Sequence, residues 1–193
     1  MNLLRAFIAI EIPSSIQSAI EQATDGLRKA VDSSLVRWVP PANMHLTLKF
    51  LGDVSETNLQ FIKHMLMQEC AQHPAFDLQI GKLGFFPNSK RPRVIWIGLK
   101  APTALAMLQN AIETAAERLG YTKEERDFSP HLTIGRVRPN LTAAEMGRVS
   151  AALEAAHVGM LGTVSIDSVH LYQSELRPTG SVYTRLFSAP LKP

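Results

Sequence analysis

Residues 44–52 read Met44-His45-Leu46-Thr47-Leu48-Lys49-Phe50-Leu51-Gly52, and the pattern at their centre returns 86 residues later as His131-Leu132-Thr133-Ile134. Successive side chains of a β-strand point to opposite faces of a sheet. Each quartet therefore predicts a strand that buries two aliphatic side chains and presents an imidazole and a hydroxyl on its other face. The composition gives about 0.02 such quartets by chance, and two are present. The alternative is a pair of amphipathic strands whose polar faces merely happen to carry a histidine.

Length and composition limit the class of protein. A chain of 193 residues that is 46% hydrophobic can bury a core as one large domain or two small lobes. Its net charge of +3 is compatible with a phosphate-bearing partner but does not require one. The single cysteine excludes a disulfide framework and a cysteine-rich metal cluster. No apolar run is long enough to span a membrane, and Arg5 and Glu11 interrupt the N-terminal apolar stretch, so we expect a cytoplasmic protein.

The order of predicted elements indicates an α+β fold. Apolar spacing predicts four amphipathic helices, near residues 15–27, 56–70, 103–119 and 143–156. Pairs of strands recur between the helices, which favours antiparallel pairing. The predicted strands are residues 4–10, 35–39, 45–51, 76–83, 94–99, 131–137, 164–172 and 182–187.

Both quartets are followed by a turn and a helix, which indicates a diverged duplication. We therefore expect residues 1–193 to form one bilobal domain. Its antiparallel sheets would line a central cleft, with the helices packed outside. One motif in each lobe would bring the two imidazoles to that cleft.

The paired motifs indicate phosphodiester chemistry. Two imidazoles suit general acid–base catalysis near neutral pH, because an unperturbed histidine titrates at about 6.5. Threonine hydroxyls can donate hydrogen bonds to phosphate oxygens, and a protonated histidine adds positive charge. This chemistry needs no metal. A zinc site is the alternative, although a catalytic zinc takes a third protein ligand and no suitable spacing supplies one. We do not expect the other four histidines to take part.

The doubled motif resembles the signature of the 2H phosphoesterase superfamily. Its wider context resembles the RNA 2′,3′-cyclic phosphodiesterase (2′-5′ RNA ligase) branch, and the resemblance extends over essentially the whole chain. The matching stretches are residues 4–10, 36–52, 86–87, 91–96, 131–136 and 171–176.

The resemblance implies a bilobal α+β fold and an enzyme that opens a terminal 2′,3′-cyclic phosphate on RNA, leaving a 2′-phosphate, without metal or cofactor. Some members also join tRNA halves through a 2′-5′ linkage. Carried over, His45 would donate a proton to the departing 3′-oxygen and His131 would activate water. Thr47 and Thr133 would hold the phosphate oxygens. The two motifs are alike, so the residues alone leave open which histidine is the acid. We expect a monomer.

Five further residues are candidates for contacts to RNA. Lys49 has the strand parity of the motif histidine, and is as well explained by a solvated strand edge. Arg136 has the parity of the buried side chains, so only a bulge near Gly135 would turn it toward the site. Arg91 and Arg93 lie in a basic, turn-rich loop. Phe50 offers a face on which a base could stack, although core packing is the stronger expectation.

Two other functions fit the same residues. The first keeps the chemistry and changes the substrate to a small cyclic nucleotide or a nucleotide-sugar phosphate, which a comparison of mononucleotide with oligonucleotide turnover would decide. The second is a non-catalytic RNA-binding module, which predicts that alanine at either motif histidine leaves RNA affinity intact. The presence of both histidines and both threonines disfavours that second function.

Overall fold

The fold, seen in a computed structural model that describes residues 3–178 and 180–193, is α+β as the sequence predicts. Four α-helices and nine strands lie in the described part of the chain. The helices are α1 (Ser14–Ala30), α2 (Glu56–Cys70), α3 (Thr103–Arg118) and α4 (Ala143–Ala155). The strands are β1 (Leu3–Glu11), β2 (Val36–Trp38), β3 (His45–Ser55), β4 (Phe76–Phe86), β5 (Val94–Lys100), β6 (His131–Val137), β7 (Met160–Ile166), β8 (Ser168–Arg177) and β9 (Gly180–Pro190).

The strands form two antiparallel sheets. The four-stranded sheet has the order β3-β1-β8-β9 and the five-stranded sheet the order β2-β6-β5-β4-β7. The two motif strands, β3 and β6, thus lie in different sheets. They also contact each other, so the sheets meet where the motifs are.

Different helices cover the two sheets. The second and third helices pack on each other and contact strands of the four-stranded sheet, whereas α1 contacts β7 of the five-stranded sheet as well as α4. Two helices begin with a side-chain cap, since Ser55 caps α2 and Thr142 forms a capping box with Glu145 at α4. The apolar faces of the four helices pack with the buried faces of both sheets in one hydrophobic core. No helix among the described residues is both long and apolar enough to cross a membrane.

The predicted strand over residues 164–172 is wrong, because the chain changes sheets inside it. The first part belongs to β7, which pairs with β4, and the second part to β8, which pairs with β1. Asp167 stands between the two strands. The apolar residues are Val164 and Ile166 before this point and Val169 and Leu171 after it, so the alternation changes phase at the switch.

Candidate active site

The first motif strand contains a bulge directly after its threonine. In the pairing of β3 with β1, Thr47 lies opposite Ala9 and Lys49 lies opposite Ile8, so Leu48 is an extra residue without a partner. A bulge of this kind reverses the side-chain alternation beyond it. The side chain of Lys49 therefore turns to the core side of the sheet.

The second motif strand repeats this arrangement. In the pairing of β6 with β5, Thr133 lies opposite Trp96 and Gly135 lies opposite Ile95, which leaves Ile134 as the extra residue. The bulge thus occupies the same place in both motifs, immediately after the threonine. It is the break near Gly135 that the sequence required if the next arginine was to face the site.

The two bulges bring a further pair of side chains to the same face as the motifs. Phe50 and Arg136 each lie three residues after their threonine, and both line the cleft with the motif side chains. Phe50 is 65% exposed, so the expectation that it packs in the core is wrong. The register shift at the bulge is the reason, because it moves Phe50 from the buried face to the open one.

A single cavity of about 490 Å³ brings the two motifs together. The side chains of His45, Thr47, His131 and Thr133 all line it. Its charged lining residues are three arginines, Arg5, Arg37 and Arg136, and no carboxylate is found among the described lining residues. The cavity is therefore suited to an anion.

Both imidazoles are oriented by the main chain in the same way. Nδ1 of His45 lies 2.8 Å from the carbonyl oxygen of Asn43, and Nδ1 of His131 lies 2.7 Å from that of Ser129. A carbonyl oxygen can only accept a hydrogen bond, so each Nδ1 must carry the hydrogen. In the neutral ring this leaves Nε2 unprotonated, and it is the atom that can take up or release a proton.

Aromatic side chains hold each imidazole ring in place. Ring centroids of Phe7 and Tyr183 lie 4.7 and 5.2 Å from that of His45. On the other side of the cleft, Phe86 lies edge-on to His131 at 5.1 Å, and Trp96 lies at 6.3 Å. Such contacts restrict the rings to one orientation, which proton transfer to a bound substrate requires.

The environment of His45 shifts its proton affinity. Burial lowers the pKa of His45, the hydrogen bond to Asn43 opposes this, and the positive charge of Arg136 lowers the pKa further. The free protein therefore favours the neutral ring at this position.

Lys49 lies outside the cleft and is buried, so both expectations for it, a contact to RNA and a solvated strand edge, are wrong. Beyond the bulge at Leu48 its side chain is buried on the core side, where its ammonium group pairs with the carboxylate of Glu113 in α3. It also donates a hydrogen bond to the carbonyl oxygen of Thr122.

Arg91 and Arg93 do not line the cleft. They face a second cavity next to it, beside the end of β6. Among the described residues there is no group of three or more His, Cys, Asp or Glu side chains placed to hold a metal ion.

Four cleft residues were missed by the sequence reasoning. Arg5 and Arg37 line the cavity from β1 and β2, and Tyr183 reaches it from β9. Asn43 donates a hydrogen bond of 2.8 Å to the carbonyl oxygen of Ser181, which ties the start of β9 to the residue that orients His45. Strand alternation was an available signal for the two arginines, since each is a charged residue between two apolar residues of a strand. No local signal marked Asn43 or Tyr183, because Asn43 bonds to a strand 138 residues further along the chain.

Comparison with known proteins identifies relatives over nearly the whole chain. Residues 2–177 match the family model of the 2′-5′ RNA ligase superfamily. The chain is 32% identical over 181 residues to the RNA 2′,3′-cyclic phosphodiesterase of Methanothermobacter thermautotrophicus (94% of this chain, 95% of the relative) and 33% identical over 184 residues to that of Archaeoglobus fulgidus (95% and 98%). The crystal structure of E. coli LigT complexed with 3′-AMP matches the full length of both chains with a TM-score of 0.78 at 26% identity. The chain therefore belongs to the 2′-5′ RNA ligase superfamily, as its paired motifs predict.

Proposed function

We propose that this protein hydrolyses the terminal 2′,3′-cyclic phosphate of RNA to a 2′-phosphate. The observation that carries the proposal is the cleft itself, in which two His-Thr pairs from separate sheets line one cavity with three arginines. Relatives named RNA 2′,3′-cyclic phosphodiesterase and the fold shared with LigT support cyclic phosphodiesterase activity.

The proposed reaction moves one proton at each histidine. Nε2 of His131 takes a proton from water as its oxygen forms a bond to phosphorus. The bond from phosphorus to the 3′-oxygen breaks, and the protonated Nε2 of His45 gives its proton to that oxygen. The products are a 2′-phosphate and a free 3′-hydroxyl, and each histidine ends in the opposite protonation state. This assignment of acid and base follows the family resemblance.

The phosphate would be held by hydroxyl and guanidinium groups, and we propose that no metal is needed. Thr47 and Thr133 line the cleft from the two motif strands, and each would donate a hydrogen bond to a non-bridging oxygen. Arg136 would balance the charge that builds up on these oxygens in the transition state. Donors that the protein holds in fixed positions stabilise such charge more strongly than mobile water molecules do.

Substrate binding would prepare His45 for its role as the acid. In the free protein burial and Arg136 lower the pKa of His45, which works against protonation. A bound phosphate anion brings negative charge next to the ring and partly neutralises Arg136. Both effects favour the protonated imidazole. The acid would therefore be charged mainly when substrate is present.

The test is turnover of an oligoribonucleotide that ends in a 2′,3′-cyclic phosphate, in buffer containing EDTA. We expect the cyclic end to open and phosphorus NMR of the product to show a 2′-phosphate. Persistence of the cyclic phosphate would falsify the proposal. Opening that requires an added divalent cation would overturn the metal-independent part alone, and a 3′-phosphate product would overturn the proposed leaving group.

A second reaction belongs to the same proposal. Joining a 2′,3′-cyclic end to a 5′-hydroxyl, as between tRNA halves, is the near-reverse of the hydrolysis, with a ribose hydroxyl in place of water. It is tested by adding a 5′-hydroxyl oligonucleotide and looking for a longer product.

The monomeric state and the cytoplasmic location stay predictions, and gel filtration and cell fractionation test them.

A further inference from the structure

A second cavity of about 1040 Å³ lies beside the catalytic cleft. The loop over residues 87–93, the end of β6 and one side of α4 enclose it, and we call it the β6 groove. Its exposed lining includes Lys90, Arg91, Arg93 and Arg138. The cleft chemistry described above uses none of these four side chains.

The β6 groove continues directly from the cleft. Arg136 lines the cleft, whereas the next two residues, Val137 and Arg138, line the groove. Two residues of an extended chain span roughly 6–7 Å, which makes the two cavities immediate neighbours. The backbone joins them on the other wall as well, since the N–H of Arg93 donates a hydrogen bond of 2.7 Å to the carbonyl oxygen of Phe86, whose ring packs on His131.

The groove carries a strong excess of positive charge. Four cations line it, and Glu154 is the one carboxylate among its described lining residues. No ion pair within residues 3–178 and 180–193 engages any of the four cations. Unpaired cations along one groove attract a ligand that carries several negative charges, such as the sugar-phosphate backbone of a nucleic acid.

The loop that carries two of these cations is held in a fixed shape. The side-chain oxygen of Asn88 accepts hydrogen bonds of 3.1 Å from the backbone N–H groups of both Lys90 and Arg91. Half-buried apolar side chains, those of Val137, Leu141 and Met146, lie between the loop and the helix. The groove thus combines charged groups at its edge with apolar surface inside, which suits a strand that exposes both phosphates and bases.

We propose that the β6 groove binds the nucleotides that precede the cyclic phosphate on a single-stranded RNA. The strand would enter along Arg91, Arg93 and Arg138, pass Arg136, and place its end between the two motif histidines. This inference rests on the proposed function for the position of the RNA end. A single strand fits because only an unpaired end can enter a cleft lined on both sides, and RNA is favoured over an acidic peptide because the groove opens into a cleft built for phosphate.

The test compares a 2′,3′-cyclic mononucleotide with an oligoribonucleotide that ends in a 2′,3′-cyclic phosphate. In the double variant Arg91→Gln/Arg93→Gln we expect kcat/KM for the oligonucleotide to fall about tenfold, mainly through KM, with mononucleotide turnover within about twofold of wild type. The logarithmic salt dependence of oligonucleotide binding should become shallower by about 1.4, since each phosphate contact to a single strand contributes about 0.7. The matched control is Lys63→Gln/Arg118→Gln on α2 and α3, which should change neither quantity.

A binding measurement separates this inference from the proposed function. Fluorescence anisotropy of a labelled oligoribonucleotide that already carries a 2′-phosphate reports the groove without any turnover. Suppose that wild-type protein opens neither substrate but the Arg91→Gln/Arg93→Gln variant still binds this RNA more weakly than the control variant. The proposed function is then wrong, and RNA binding by the β6 groove is confirmed. Equal binding by both variants, or an equal loss with the mononucleotide, overturns the groove. Stronger competition by an acidic peptide than by RNA would reassign it to a protein partner.

Discussion

Lys49 and Glu113 form a buried ion pair that links the two halves of the candidate active site. Their side chains are 3% and 5% exposed. Lys49 lies two residues after Thr47 and holds the core side of the bulge in β3. The Glu113 carboxylate also accepts a 2.9 Å hydrogen bond from the backbone N–H of Glu124, in the segment that leads to β6. The pair therefore fixes the first motif strand against the approach to the second.

We expect Lys49→Met to lower the free energy of unfolding by about 3–5 kcal/mol, because it leaves the carboxylate of Glu113 buried without its counter-ion. Glu113→Gln should cost a similar amount by leaving the ammonium group unpaired. Urea unfolding followed by circular dichroism measures both values.

The double variant Lys49→Met/Glu113→Gln completes this test. A neutral pair of similar volume needs no counter-ion, so we expect its stability to return to within about 2 kcal/mol of wild type. Strictly additive losses would contradict a direct interaction between the two side chains.

The bulges explain why the sequence predicted the motif residues but misplaced their neighbours. The alternation of His45 and Thr47 with aliphatic residues is a local property, and the structure places both side chains in the cleft. A bulge depends on the partner strand, so continuing the alternation assigned Lys49 to the cleft and Phe50 to the core, and both assignments are wrong. For Arg136 the sequence could state only the condition, a break near Gly135.

The sequence also carries no local signal for which distant segments pair with each other. The α+β class, the four helices and most strands follow from apolar spacing, which each segment carries by itself. The apolar alternation also changes phase at Asp167 and Ser168, but the sheet that β7 or β8 joins depends on partners elsewhere in the chain. Alternation marks Arg5 and Arg37 as outward-facing, but it does not show that both enter one cleft, because which sheet faces meet is a property of the whole fold.

Replacement of either motif histidine tests the acid–base proposal. We expect His45→Ala and His131→Ala each to lower kcat by about 10²–10⁴, the usual range for loss of one proton-transfer group. The double variant should lose little more than the worse single variant, because the two rings act in one step. His64→Ala, an exposed histidine on α2, is the matched control and should keep full activity. Single variants with near-normal kcat would exclude two-histidine catalysis.

Replacing each motif threonine hydroxyl by a methyl group of similar size tests the proposed phosphate contacts. Thr47→Val and Thr133→Val keep the shape of the side chain and remove the donor, so we expect about 1.5–3 kcal/mol less transition-state stabilisation from each, as for a hydrogen bond to a charged group. This corresponds to roughly 10- to 150-fold in kcat/KM. Thr142→Val is not a suitable control because Thr142 caps α4. Thr114→Val on α3 serves instead and should leave kcat/KM unchanged.

The titration of His45 should respond to Arg136. Burial and the charge of Arg136 both lower the pKa of His45, so NMR titration of the imidazole C–H signals should place it below the usual value of about 6.5. Arg136→Gln removes one cause and should raise it, whereas Arg91→Gln outside the cleft should not.

The lowered pKa of His45 also makes the stability of the protein depend on pH. The unfolded chain binds this proton near pH 6.5 and the folded protein only at lower pH, so His45 reduces stability as the pH falls below about 6.5. A His45 pKa at or above 6.5 in the free protein would contradict both statements.

Gly84 leaves room for the indole of Trp96, which contacts His131. A methyl group at Gly84 would overlap three atoms of that ring, so Gly84→Ala must displace Trp96 from its place 6.3 Å from the His131 ring. We expect a loss of about 1–3 kcal/mol in the free energy of unfolding and a fall in kcat on the order of 10²-fold, since small misplacements of a catalytic group are costly. Gly26→Ala in α1, where nothing lies within 4 Å of the added methyl, should instead stabilise the protein by about 0.5–1 kcal/mol. Both variants are assayed well below their unfolding midpoints, and an unchanged kcat in folded Gly84→Ala would show that Trp96 does not set the orientation of His131.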